Sequence, residues 1–131
     1  MPLAFRVVIL LTLFAGGSVR SCGSYANAGC KQRAEAYRTR VEQLRKDASE
    51  QLKIGIRSDV VEQFFNSHGI PFQVIGYGNH KEATGTIYVQ GGCAPRGCGS
   101  EDALIGLRVE LNLDGTVISE PVVGRQFTNC L

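Results

Sequence analysis

The sequence predicts an α+β fold: two N-terminal helices packed on one face of an antiparallel sheet of about four strands. Three observations carry this. A stretch from Lys31 to Lys53 free of Gly and Pro has apolar residues three and four apart. A short, sharply punctuated second helix ends before Pro71. The remaining chain alternates with a period of two between turn signals. Helices grouped ahead of strands, rather than interleaved with them, favour an antiparallel sheet.

In the first helix, Ala34, Tyr37, Val41, Leu44, Ala48 and Leu52 form one apolar stripe. The other face is charged, and Glu42 can meet Arg45 or Lys46 one turn on. Gly55 breaks this helix. Ser58 or Asp59 can cap the next one, and Asp59 with Glu62 has capping-box spacing. Val60, Val61, Phe64 and Phe65 give it a compact apolar face. His68 sits in its last turn, Gly69 suits the position just past its end, and Pro71 forbids continuation.

Phe72 to Tyr77 reads as the first strand, followed by a Gly78-Asn79-His80-Lys81 turn. Thr84 to Gln90 is rich in strand formers. Gly91 to Ser100 is a glycine-rich loop. Leu107, Val109, Leu111 and Leu113 alternate with Arg108, Glu110 and Asn112, which marks a strand with one buried face. Asp114-Gly115 is a hairpin signal. The chain returns over Thr116 to Ser119, and Val122 to Phe127 continues beyond Pro121.

Residues 1–21 read as a signal peptide. VVILLTLFA, from Val7 to Ala15, lies between Arg6 and Arg20 and is too short to span a bilayer. Val19-Arg20-Ser21-Cys22 resembles a bacterial lipobox, which makes Cys22 the expected lipidation site. Arg20 departs from the small or apolar residue usual there. Ala26-Asn27-Ala28 offers an alternative cleavage site. Residues 22–29 are small and polar and read as a short tether to a single domain over 30–131.

Either cleavage turns five cysteines into four for pairing, because Cys22 is acylated or removed. Two disulfides are then expected in an oxidising compartment. Of three possible connectivities, Cys93–Cys98 and Cys30–Cys130 are favoured. The first pair flanks a turn-forming Ala-Pro-Arg-Gly, and the second joins the start of the domain to its end.

Loss of Arg6 and Arg20 lowers the basic residues from 14 to 12, against 12 acidic ones. The charge excess of a nucleic-acid binder is missing, so no nucleic-acid partner is expected. Lys31 to Arg57 is locally basic, with eight Lys/Arg against four Asp/Glu. That bias suits an anionic membrane surface or a solvated helix face.

Ile54-Gly55-Ile56-Arg57-Ser58-Asp59-Val60-Val61, running on to Gly69-Ile70-Pro71, resembles the opening of the SmpA/OmlA family of small outer-membrane lipoproteins. Those proteins are related in fold to β-lactamase inhibitor proteins. Gly55, Val61, Gly69 and Pro71 are the matching positions. The resemblance implies helices layered on an antiparallel sheet and an accessory or binding role in the envelope. It places no functional residue on this chain.

No catalytic residues, cofactor or metal are expected. P-loop, Gly-x-Ser-x-Gly and His-Glu-x-x-His motifs are absent from the sequence. His68 and His80 have no recognisable ligand spacing to Cys93 and Cys98. Arg96, between Cys93 and Cys98, is the candidate partner-binding residue, since a braced loop presents it at low entropic cost. The expected protein is a bacterial envelope lipoprotein that binds another envelope protein. It is anchored through a lipid on Cys22, with the outer membrane facing the periplasm as its place. The alternative is a soluble periplasmic or secreted inhibitor of a hydrolase or toxin, presenting the Cys93–Cys98 loop.

Overall fold

A computed structural model describes the backbone over residues 22–131 and side chains from residue 29 onward. The expected signal peptide over 1–21 lies outside the described residues, as does the Cys22 side chain. The fold is α+β, with two helices followed by a four-stranded antiparallel sheet. The order is α1 (Cys22–Gln51), α2 (Ser58–Ser67), β1 (Phe72–Gly76), β2 (Lys81–Gln90), β3 (Asp102–Leu111) and β4 (Val122–Phe127). Sheet order follows chain order, so β1 and β4 are the edges.

The helical backbone of α1 takes in residues 22–29, where the sequence suggested a tether. Of the expected stripe, Tyr37, Val41, Leu44, Ala48 and Leu52 are buried and Ala34 is half-buried. One apolar cluster joins them to Val61, Phe64 and Phe65 of α2 and to Ala83, Ala103, Ile105, Leu107, Val109 and Leu111 of the central strands. In β3 every second residue from Ala103 to Leu111 is buried, four residues earlier than Leu107, where the alternation was first read. Gly106 and Leu104 had hidden that start, because they are apolar on the opposite row.

The second helix starts differently from its sequence reading. Arg57 occupies the N-cap position and no side chain caps the helix, although Ser58 and Asp59 were the candidates. The Ser58 N–H instead donates to the Gly115 carbonyl at 2.7 Å. The hairpin turn thus satisfies one of the helix's orphan donors. The C-terminus is as expected. Gly69 has φ +64, its N–H donates to Asn66, and the Ile70 N–H reaches Phe65, which is a Schellman motif. Val60 is 37% exposed and lies off the buried face.

The hairpin turn confines the next departure. Asn112 donates its N–H to Thr116 at 2.9 Å, and Gly115 has φ +89. Leu113 therefore leaves the alternation and is 58% exposed. Residues 116 and 117 form isolated bridges to Arg57 and Leu111 rather than a full strand. Through these bridges and the Gly55 N–H to Val117 carbonyl bond, the hairpin ties the α1–α2 connection to β3.

Candidate functional site

The loop after β2 is fixed from two sides. The disulfides are Cys30–Cys93 and Cys98–Cys130, not the expected Cys93–Cys98 and Cys30–Cys130. The cause is non-local. Gly92, at φ +82, lies so close to α1 that a Cβ there would overlap the Ala34 nitrogen and the Cys30 carbonyl. The Cys93 N–H donates to that same carbonyl at 3.3 Å, which sets its sulfur beside Cys30. Cys98 lies just before β3, and Cys130 just after β4. The antiparallel pairing of these strands brings their flanks together, where Gly99 donates to Asn129 and Leu131 to Gly97. Both disulfides therefore close through tertiary pairing rather than through the short turn.

The turn the sequence indicated does form inside this clamp. Pro95, Arg96, Gly97 and Cys98 make a reversal with the Cys98 N–H donating to Pro95 at 3.2 Å. Gly97 at φ +89 supplies the left-handed position that a type II turn requires. Arg96 occupies the preceding position and is exposed. Its chain is thus held by a cysteine bonded to α1 on one side and a cysteine bonded to the C-terminal segment on the other.

A groove of about 440 Å³ opens beside the loop, lined by Ala34, Tyr37, Cys93, Arg125, Phe127 and Cys130 among others. Tyr37 meets Phe127 edge-on at 6.1 Å between ring centres. Its hydroxyl donates to the Leu104 carbonyl at 2.8 Å. Burial pushes the Tyr37 phenol above its ordinary range, so it remains a protonated donor there. Near the start of β3, Arg33 donates side-on to both Glu101 carboxylate oxygens, from Nε at 2.8 Å and from Nη2 at 3.0 Å. The Glu101 hydrogen bond raises the Arg33 pKa further. Glu101 thus fastens that loop to α1. The sequence reading missed the groove and Arg125. Its signal was the row Val123, Arg125, Phe127, with a cation between two apolar residues of one strand face.

Away from this surface, Ser67, His68 and Asp47 sit in a chain of contacts. The Ser67 hydroxyl is 3.2 Å from His68 Nδ1, and His68 Nε2 is 3.2 Å from an Asp47 oxygen. The order matches a serine-hydrolase triad, but the donors do not. Ser67 donates to the Phe64 carbonyl, and His68 Nδ1 faces that same carbonyl at 2.9 Å. Nδ1 therefore has no free lone pair to take a serine proton. The trio is a clasp between the end of α2 and α1. His80 stacks on Tyr77 at the β1–β2 turn.

The four disulfide cysteines have no free thiolate for a metal or a nucleophile. Among the described residues no group of three or more His, Cys, Asp or Glu is placed to hold a metal ion. No helix among them is long and apolar enough to cross a membrane. The fold and this surface define a small, disulfide-braced α+β domain with an exposed, clamped loop. No family model, curated protein or solved structure matches the chain.

Proposed function

We propose that this is a bacterial envelope lipoprotein whose folded domain binds another envelope protein and performs no catalysis. In this reading the two helices pack on one face of the sheet, a lipid on Cys22 anchors the chain to the outer membrane, and the domain faces the periplasm. The SmpA/OmlA resemblance enters here on Gly55, Val61, Gly69 and Pro71.

One observation carries the reading: both disulfides converge on the 93–98 loop and hold Arg96 in a tight turn. Two cross-links on six residues exceed what a mere connection between β2 and β3 needs. A rigid loop loses little entropy on binding, and arginine is a frequent hot-spot residue. The braced cysteines also suit an oxidising compartment.

Intact mass of the protein isolated from its native envelope is the first test. A chain beginning at Cys22 with added acyl mass is the expected result. A chain beginning at Gly29 with no added mass overturns the anchor and brings forward the soluble inhibitor reading. Partner binding is tested by cross-linking in the intact envelope with wild-type protein and Arg96→Ala. The adduct is expected to be lost in the variant. An adduct that persists unchanged removes Arg96 from the interface, and no adduct with either protein counts against a protein-binding role.

A further inference from the structure

β4 is an edge strand, with one side of its main chain outside the sheet ladder. The Val123 carbonyl accepts from Arg45 Nη2 at 3.5 Å, so it turns away from β3. In an antiparallel pair, alternate residues direct both main-chain groups to the same side. Val123, Arg125 and Phe127 therefore aim theirs at the free edge. The Thr128 N–H, one step out of phase, donates to the Asp102 carbonyl of β3 at 3.0 Å, as that alternation requires. The strand contains no proline to block pairing.

The ground beside this edge has a definite charge. The groove over Tyr37 and Phe127 continues, through Ala34, Cys93 and Arg125, into a second hollow of about 580 Å³ that adds Lys31, Glu35 and Arg38. Three cations thus face one carboxylate, and Glu35 is already held by Arg38. Among the described residues, Lys31 and Arg125 have no carboxylate within ion-pair distance.

We infer that the β4 edge receives an acidic, extended segment of a partner protein, which adds as a fifth strand and sets an apolar side chain into the Tyr37–Phe127 groove. The inference rests on the protein-binding reading above and specifies a mode of recognition for it. Main-chain bonds supply affinity in strand addition, and pockets for alternate side chains supply selectivity. The charge chooses the occupant. Two copies of β4 paired antiparallel about Arg125 would set that arginine opposite itself, which is unfavourable. A cation on an edge strand guards against self-pairing. It remains open to a strand that brings carboxylates.

The test uses the mature, oxidised domain and a display library of random twelve-residue peptides. Selected peptides are synthesised and titrated by amide NMR. The expected peptides alternate apolar residues with Asp or Glu. They shift the amides of Val123, Arg125 and Phe127 and slow their hydrogen exchange. Arg125→Glu is expected to weaken them about tenfold or more, because a like charge then meets the ligand. Arg125 is exposed, and circular dichroism of the variant checks that it folds. Lys31→Glu, outside the strand, is a second reversal and is expected to weaken them less. N-methylation of the peptide backbone is expected to abolish binding.

Peptides without acidic bias, or peptides indifferent to both reversals, overturn the inference. Peptides that lose affinity for Arg96→Ala but not Arg125→Glu also overturn it, while leaving a protein-binding domain that works through its tip. Failure to select any peptide overturns strand addition, and the envelope cross-linking then decides the wider reading by itself.

Discussion

The two ends of the molecule are held together by different physics. At the hairpin end, Leu52, Val61, Phe64, Phe65, Ile70, Leu111 and Val117 are all buried, and no cysteine is present. At the loop end, the buried apolar groups thin to Tyr37, Ala103 and a half-buried Phe127, and both disulfides are found. Covalent bonds stand where the core runs out. A surface braced in this way can stay polar and open, because it need not bury its side chains to be ordered. That is why Arg96, Lys31 and Arg125 can all remain exposed beside a fixed backbone.

The contrast is broken most severely from the packed end. Phe65 is fully buried, stacks on Phe72 at 4.8 Å, and approaches Gly85 of β2. Phe65→Ala leaves a cavity that the rigid Schellman turn cannot close, and about 3–5 kcal/mol should be lost. Urea unfolding measures it. A loss below about 1 kcal/mol would mean that the hairpin end is not the thermodynamic centre.

Removing a cross-link tests the other end. The Cys30–Cys93 pair spans 63 positions and Cys98–Cys130 spans 32. Serine replacement of both Cys30 and Cys93 should cost about 2–4 kcal/mol, chiefly by loosening the unfolded chain's constraint. The sharper reading is local. Hydrogen exchange should accelerate in residues 91–101 and 128–131, while Ile105 to Leu111 keep their protection. Uniform acceleration through β3 would show that the two ends unfold as one.

What was legible in the sequence follows the same division. The stripe of α1 and the end of α2 could be read because their determinants lie within a few residues of each other. The start of α2 could not, since its donor is satisfied by Gly115, far along the chain. Cysteine number indicated two disulfides, but their partners depend on β3–β4 register and on the approach of Gly92 to α1. A short turn between Cys93 and Cys98 looked sufficient to join them. It is present, yet it directs the two cysteines to different partners. Arg96 was visible as a loop residue. Arg125 was not, because its interest depends on β4 being an edge.

Gly92 offers a smaller and more local probe of the loop end. Alanine there would have to keep φ near +82 and would overlap the Ala34 and Cys30 backbones. Gly92→Ala should destabilise by about 1–3 kcal/mol through overpacking. It should also slow formation of the Cys30–Cys93 bond, which refolding with thiol trapping would reveal as accumulated protein joined only through Cys98 and Cys130. Native bond formation at an unchanged rate would mean that the cysteines meet before Gly92 docks.

The mildest effect is expected at the Asp47–His68 clasp, which joins the helices without a covalent bond. Its hydrogen bond from His68 is the first cause holding the Asp47 carboxyl below its ordinary value, and Gln43 adds to it at 2.8 Å. A lowered folded-state value means that the unfolded chain takes up this proton first as pH falls. The stabilisation is therefore complete above the ordinary carboxylate range, near 4, and is lost as pH drops through the lowered folded value. His68 lies 2.9 Å from the Phe64 carbonyl and 3.2 Å from Asp47, so it links the end of α2 to α1. His68→Gln should therefore flatten the acid limb of the stability profile, and Asp47→Asn should flatten it similarly. The double variant should match Asp47→Asn, because without the carboxylate His68 has no charge left to stabilise. Additive losses in that cycle would separate the two residues and leave α2 held to α1 by apolar packing alone.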